Sequence, residues 1–306
     1  MKTTTMLAAF ALPLLAPSLS AQTPDHLVGF TRISNLRHVD NWACARIDQC
    51  AVPLPGVAVM PRWAGGTGWD PARSGAWITD GVTLAKVDDH CELQCGPMPI
   101  PGLGPNAVAT GLEVVESLNQ LLIIDSLGFL HTFTNTCPPV SLGICNTGLG
   151  STGTVLTYTS GLAVDEGHGI IFIAHCDFAT GANFIAISLL TAPCNILCRV
   201  PVPPCTTVFG TIRGLAVNWG RRLLYATDGT NSIAIQYARS AIGCVHWLAV
   251  NCCTMPIITL DPMVGLAVRP GQETSRRRPP LSTGPPASQA LPASTPEALA
   301  RAAISG

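Results

Sequence analysis

The sequence predicts an all-β fold: a propeller-like array of about five blades, the last one incomplete, with a disordered tail at the C-terminal end. Three observations predict it. Openings of the Gly-Leu-Ala-Val type begin at Gly56, Gly111, Gly161, Gly214 and Gly265, at intervals of 55, 50, 53 and 51 residues. Four of them lead into an apolar run (Ala76–Thr79, Leu121–Ile124, Ile170–Ala174, Leu223–Thr227) and then a third strand (82–87, 129–134, 184–189, 233–237). The cysteines keep the same period. A repeat of about 50 residues holding several strands is the signature of radial β arrays.

The unit is clearest at 214–237, GLAVNWGRRLLYATDGTNSIAIQY. In an extended Gly-Leu-Ala-Val, Leu215 and Val217 share one face while Gly214 and Ala216 share the other. A strand with one tiny face lets a neighbouring sheet approach closely. Leu223–Thr227 is apolar on both faces, as expected of a strand covered on both sides. Asp228-Gly229 is a hairpin turn signal, and Ile233, Ile235 and Tyr237 alternate with Ala234 and Gln236 beyond it.

The segment YATDGTNSIAIQ resembles the Tyr-x-x-Asp-x-x-Asn-x-(Ile/Val) core of NHL-like and related extracellular β-propeller repeats, and GLAV looks like the strand that opens each blade there. The resemblance spans roughly residues 56–268 and is sharpest at 214–237. Gly128 stands where the pattern has Asn, and His175 where it has Asp. It implies that Asp80, Asp125 and Asp228, with Asn231, fix turns by side-chain to backbone hydrogen bonds.

Residues 1–21 read as a secretory signal, with Lys2, an apolar Met6–Leu15 and a small-residue zone at Ser18–Ala21. The apolar run is too short to span a bilayer. The mature chain is expected to be secreted or held at a cell surface or in a periplasm. Residues 22–269 form the repeat domain. Residues 270–306, rich in Pro, Ser and Ala and free of aromatics, are expected to stay disordered. There Arg276–Arg278 reads as a solvated charge run.

Composition narrows the function classes. Of 306 residues, 47% are hydrophobic and 11% charged, with 29 Gly and 26 Pro. Short covered strands joined by turns have this composition. A net charge of −1 without a basic stripe excludes nucleic acid as an expected partner.

Thirteen cysteines in an exported chain point to disulfides. Cys44/Cys50, Cys91/Cys95, Cys137/Cys145, Cys194/Cys198 and Cys244/Cys252 each lie between a third strand and the next opening, and local pairing within each couple is the expectation. Cys176 is expected to pair with Cys205, leaving an odd thiol at Cys252 or Cys253. Phe30–Asn35 reads as a third strand of a closing blade that Gly265–Val268 would open, with no second strand between them.

No nucleophile elbow, P-loop, zincin or dinucleotide motif is present, and no cofactor is expected. Trp63, Trp69 and Trp77 cluster in the first full repeat, where core packing is the first reading and a carbohydrate-stacking surface the alternative; the long loop WAGGTGWDPARSG beside them is the expected specialised surface, for an unidentified protein or glycan. The main expectation is a non-catalytic exported binding or surface-assembly module. The alternative is a metal-dependent, lactonase-like propeller hydrolase, with Glu113, Asp165 and Asn218 as ligands around a central channel. His175-Cys176-Asp177 is a weaker metal candidate, because successive strand residues face opposite ways.

Overall fold

A computed structural model describes residues 26–31, 35–40, 45–52, 54, 64–150, 157–177, 179–203, 210–240, 243–254 and 263–269. The expected signal segment, the tail from 270, and the opening strand expected at Gly56 lie outside these residues.

Among the described residues, twenty strands make five antiparallel sheets of four. In chain order, β1 (His26–Thr31), β2 (Asn35–Asp40) and β3 (Ala45–Ala51) belong to the closing blade, V. Blade I holds β4 (Gly66–Asp70), β5 (Gly75–Thr79), β6 (Thr83–Asp88) and β7 (Leu93–Pro99). Blade II holds β8 (Ala109–Val115), β9 (Gln120–Asp125), β10 (Phe129–Thr134) and β11 (Ser141–Asn146). Blade III holds β12 (Thr157–Asp165), β13 (Ile170–Asp177), β14 (Ala182–Leu189) and β15 (Ala192–Pro201). Blade IV holds β16 (Gly214–Asn218), β17 (Leu223–Thr227), β18 (Asn231–Arg239) and β19 (Val245–Thr254). The last strand, β20 (Met263–Arg269), opens blade V.

Two expectations are corrected here. The closing blade is complete, in the order β20-β1-β2-β3. Its second strand is β1, paired to β20 from His26↔Arg269 to Phe30↔Gly265, and the third strand is Asn35–Asp40 rather than Phe30–Asn35. The opening strand of blade I is GTGWD, the segment expected to be a specialised loop.

The tiny face of each opening strand does what its chemistry allows. A Cβ added at Gly66 would lie 2.7 Å from Leu112 N, at Gly111 2.6 Å from Leu162 N, at Gly161 3.1 Å from Leu215 N and at Gly214 2.9 Å from Leu266 N. At Gly265 it would lie 2.7 Å from the carbonyl carbon of Gly66. Each inner strand thus abuts the next and the fifth abuts the first, so the ring closes on backbone contact. Gly111→Ala is therefore expected to cost about 1–3 kcal/mol by overpacking. Gly143→Ala, on the outer strand β11 with nothing within 4 Å of its would-be Cβ, should leave stability unchanged. Equal midpoints for the two variants in urea would remove the close-approach argument.

The large residues fill the spaces between blades. Trp69, Ile78, Val87 and Phe30 pack between blades V and I, and Leu84, Leu112 and Phe133 between I and II. Ile124, Ile173 and Ala186 pack between II and III, Phe172, Ile185, Ile235 and Tyr237 between III and IV, and Tyr225, Leu266 and Leu27 between IV and V. A wedge of apolar core in every interface holds the array, since a lone sheet could not bury both faces.

Candidate functional site

The sequence-selected groups fall into separate places. Trp63 lies outside the described residues. Trp69 is 6% exposed on β4 and Trp77 fully buried on β5, so neither offers a stacking face at the surface. Both rings are core, the first of the two readings, and not a stacking surface: their hydrophobic payload is spent between blades. Trp77 Nε1 donates to Asn135 Oδ1 at 2.7 Å, and Lys86 Nζ sits 5.8 Å from the Trp77 ring centroid. The Arg269 guanidinium lies 5.1 Å over Trp69.

Beneath Trp77 runs a buried polar network. Asp70 Oδ2 accepts from Lys86 Nζ at 2.5 Å, from Asn135 Nδ2 at 3.1 Å and from Arg73 at 3.1 Å. Burial alone would raise the Asp70 carboxyl, yet the hydrogen bonds from Lys86, Asn135 and Arg73 outweigh it and hold the group below its ordinary value. Sequence reading passes over this network because its members come from β4, β6 and the end of β10, up to 65 positions apart.

Glu113, Asp165 and Asn218 are each engaged by neighbouring groups. Glu113 is part-buried on β8 and accepts from Val114 N at 3.1 Å. Burial pushes its carboxyl well above the usual range, and the nearby Glu166 adds to this. Asp165 ends β12, and both its oxygens are engaged. Oδ1 accepts His168 N at 3.0 Å, while Oδ2 accepts His168 Nδ1 at 2.7 Å and Tyr237 OH at 2.6 Å. Burial and the Asp165 charge push the Tyr237 hydroxyl far up. Asn218 Oδ1 accepts Arg221 N at 3.1 Å across the following turn. Asp165 and Asn218 thus brace the turns after two opening strands. Among the described residues, no group of three or more His, Cys, Asp or Glu is placed to share a metal ion.

The turn aspartates sit between second and third strands. Asp80 Oδ1 accepts Val82 N and Thr83 N, and Asp125 Oδ1 accepts Leu127 N and Phe129 N. Asp228 Oδ1 accepts Thr230 N and Asn231 N, while its Oδ2 accepts Asn231 Nδ2. These bonds, with those from Gly210 N and Asn231, overcome burial and hold the Asp228 carboxyl below its ordinary value. His131 Nε2 lies 3.0 Å from Asp125 Oδ2 in the core.

The cysteines correct the local-pairing scheme. Bridges run from Cys50 to Cys91, Cys95 to Cys137, Cys145 to Cys194 and Cys198 to Cys244, with Cα–Cα separations of 5.9, 5.8, 6.0 and 6.1 Å. Each joins the outer strand of one blade to the start of the outer strand in the next. Strand twist accumulates across four strands and swings each outer strand toward the circumference, so its end meets the neighbouring blade. Cys91 accordingly packs between blades V and I, and Cys95 between I and II. Cys176 is a free, buried thiol, so its expected bond to Cys205 is not made. Cys252 is disulfide-bonded and is not the odd thiol. These bridges indicate an oxidising environment. No helix among the described residues is long and apolar enough to cross a membrane.

The outer strands also carry most of the exposed large apolar side chains: Leu93 on β7, Leu197 on β15, Leu248 and Val250 on β19, and Leu142 and Ile144 on β11, with Val140 just before it. Val140, Leu142 and Ile144 are 59%, 52% and 48% exposed. An outer strand has one unpaired edge, which soluble proteins usually guard with charge or proline. β7 has Pro97 and Pro99, and β15 has Pro193, Arg199 and Pro201, but SLGICN of β11 and VHWLAVNCCT of β19 have neither proline, acid, Lys nor Arg.

No protein-family model matches the chain, and no curated protein sequence matches it. Among solved structures, it is similar to the β-propeller domain of Cps50 (Swd1) from Myceliophteria thermophila, with a TM-score of 0.44 and 8% identity over 74% of this chain and 68% of that one. It is also similar to a functionally unknown protein from Desulfotomaculum acetoxidans (TM-score 0.45, 10% identity, 79% of this chain and 84% of that one). A third, from Lactobacillus plantarum, has a TM-score of 0.42 and 9% identity over 81% of this chain and 74% of that one.

Proposed function

We propose that the chain is an exported, non-catalytic propeller acting as a binding or surface-assembly module, and that copies of it associate through the rim. The observation that carries this reading is the row of exposed Val140, Leu142 and Ile144 beside the unguarded edge of β11. Contiguous exposed apolar surface on a stable scaffold marks contact sites, and an open strand edge supplies backbone hydrogen bonds for a partner strand. The hydrolase alternative has less support, because Asp165 and Asn218 spend their oxygens on the turns that follow their strands and on Tyr237, and Glu113 accepts from the backbone of Val114. Sedimentation velocity of the mature oxidised chain over a wide concentration range tests the reading. Association is expected to rise with concentration and to be lost in Leu142→Lys/Ile144→Lys. A chain that stays monomeric throughout, or a variant that associates as the parent does, overturns it.

A further inference from the structure

Asp70, Lys86, Asn135 and Trp77 form a dry cluster, at 0%, 5%, 3% and 0% exposure. We propose that this cluster makes its own covalent cross-link: the Lys86 amine displaces ammonia from the Asn135 side chain, and the resulting amide joins blade I to blade II. The inference concerns the covalent frame and stands apart from the association reading.

The two reacting groups share one oxygen. Asp70 Oδ2 accepts from Lys86 Nζ at 2.5 Å and from Asn135 Nδ2 at 3.1 Å. The attacking nitrogen and the nitrogen it displaces therefore lie no farther apart than those two bonds laid end to end. Trp77 Nε1 donates to Asn135 Oδ1 at 2.7 Å. An indole N–H only donates and a carboxylate only accepts, so the two partners fix which end of the Asn135 amide is oxygen. Its carbonyl meets a donor, and its nitrogen meets a proton carrier. Asp70 Oδ1 is buried without a hydrogen-bond partner, which leaves the carboxylate an open position for a proton. Asn135 is also held through its main chain, whose N–H donates to Asn119 O at 2.9 Å. A disulfide keeps the two segments together: Cys95 stands in register with Lys86 across β6 and β7, and it is bonded to Cys137, two residues past Asn135.

The reaction needs nothing that the cluster lacks. Asp70 takes one proton from the Lys86 ammonium, leaving a neutral acid beside a neutral amine, a pair with no charge to desolvate. The amine lone pair bonds Asn135 Cγ, and the carbonyl π pair moves to Oδ1, where the Trp77 N–H stabilises the developing oxyanion. A second proton passes from the attacking nitrogen through Asp70 to Nδ2. The pair on Oδ1 then returns, the Cγ–Nδ2 bond breaks with its electrons on nitrogen, and ammonia leaves, taking the remaining proton from Asp70 as ammonium. No oxidant or reductant takes part. Attack falls on Asn135 rather than on Asp70, because a carboxylate carbon resists a nucleophile and Trp77 polarises the amide. The ion pair is the reactant, so its folding energetics are those of the freshly folded, unlinked chain.

Chymotryptic mapping of the full chain by mass spectrometry, after folding, storage, reduction and alkylation, is the test. Reduction removes the Cys95–Cys137 bridge, so any remaining link between the two segments is the amide. The expected product is one branched peptide that carries both Lys86 and Asn135 and is lighter by one ammonia than its two arms. Lys86→Arg keeps a cation beside Asp70, but a guanidinium stays protonated and cannot attack. Its two peptides should separate at full mass. Asp70→Asn removes the proton carrier and should slow branching by about 100-fold or more. Two separate full-mass peptides in the parent chain overturn the proposal. So does an Asn135 peptide that loses ammonia alone, by closing on its own backbone, or a branch lighter by water, which would put the bond on Asp70.

Discussion

Asp70→Ala is expected to lower the unfolding free energy by about 3–5 kcal/mol, the cost of stranding one partner of a buried ion pair. The carboxylate is fully buried and Lys86 is 5% exposed. With the acid gone, the Lys86 ammonium keeps only the Trp77 ring beside it, and Asn135 Nδ2 loses its acceptor. Arg73 is 45% exposed on its side chain, so its share is screened by water and small. Desolvation sets the outcome rather than attraction: the pair offsets what it cost to bury both charges, and removing half leaves the cost. Asp70→Leu/Lys86→Met should therefore recover most of the loss, because replacing both partners with apolar groups removes both penalties. Urea unfolding of the two variants checks this. A single-variant loss below about 1 kcal/mol, as for an exposed pair, would mean that water reaches Asp70.

Blade IV is legible in the sequence because local preference and tertiary position agree there. Leu223–Thr227 is apolar on both faces and is buried on both, and Asp228-Gly229 turns where its chemistry demands. Blade I misleads for a physical reason. GTGWD has two glycines and an aspartate, the composition of a loop, yet the glycines are what an inner strand needs against Leu112 and Val114 of its neighbour. The second strand of blade V is obscured similarly. Leu27-Val28-Gly29-Phe30 is broken by Gly29, where a Cβ would lie 2.3 Å from Met263 Sδ. The cysteine pattern shows that bridges belong to the outer strands, but not which cysteine bonds which, because that follows from bulges. Register shifts between Lys86 and Val87 and around Ser188 change which face the following residues present, so cysteines four apart come to serve opposite interfaces. Of the functional candidates, the exposed Val140, Leu142 and Ile144 form an alternating apolar run without a charge, a signal that the sequence does carry. The Asp70 network has no sequence signal, since nothing local connects β4 to the end of β10.

His175 gives the chain a stability that fades in acid. Its ring is 4% exposed, both nitrogens lack hydrogen-bond partners, and it stacks on Phe184 at 5.3 Å between centroids. Burial first, and then the positive Arg199, lower its pKa from 6.5 to about 4, against a smaller upward pull from Asp177. The unfolded chain therefore binds a proton between those two values that the folded chain does not, and stability falls as the pH drops from 6.5 toward 4. Above 6.5 the contribution is whole; below about 4 it is gone. The shift corresponds to about 3 kcal/mol. His175→Phe keeps an aromatic ring against Phe184 without a site for the proton. The difference in urea midpoint between parent and variant is thus expected to be flat above pH 6.5 and to change by that amount in favour of the variant as the pH is lowered. Taking the difference cancels the carboxylates common to both proteins, which titrate in the lower part of the same window. Parallel pH profiles would mean that the imidazole finds a partner when it charges, and the unpartnered ring would then have no part in acid sensitivity.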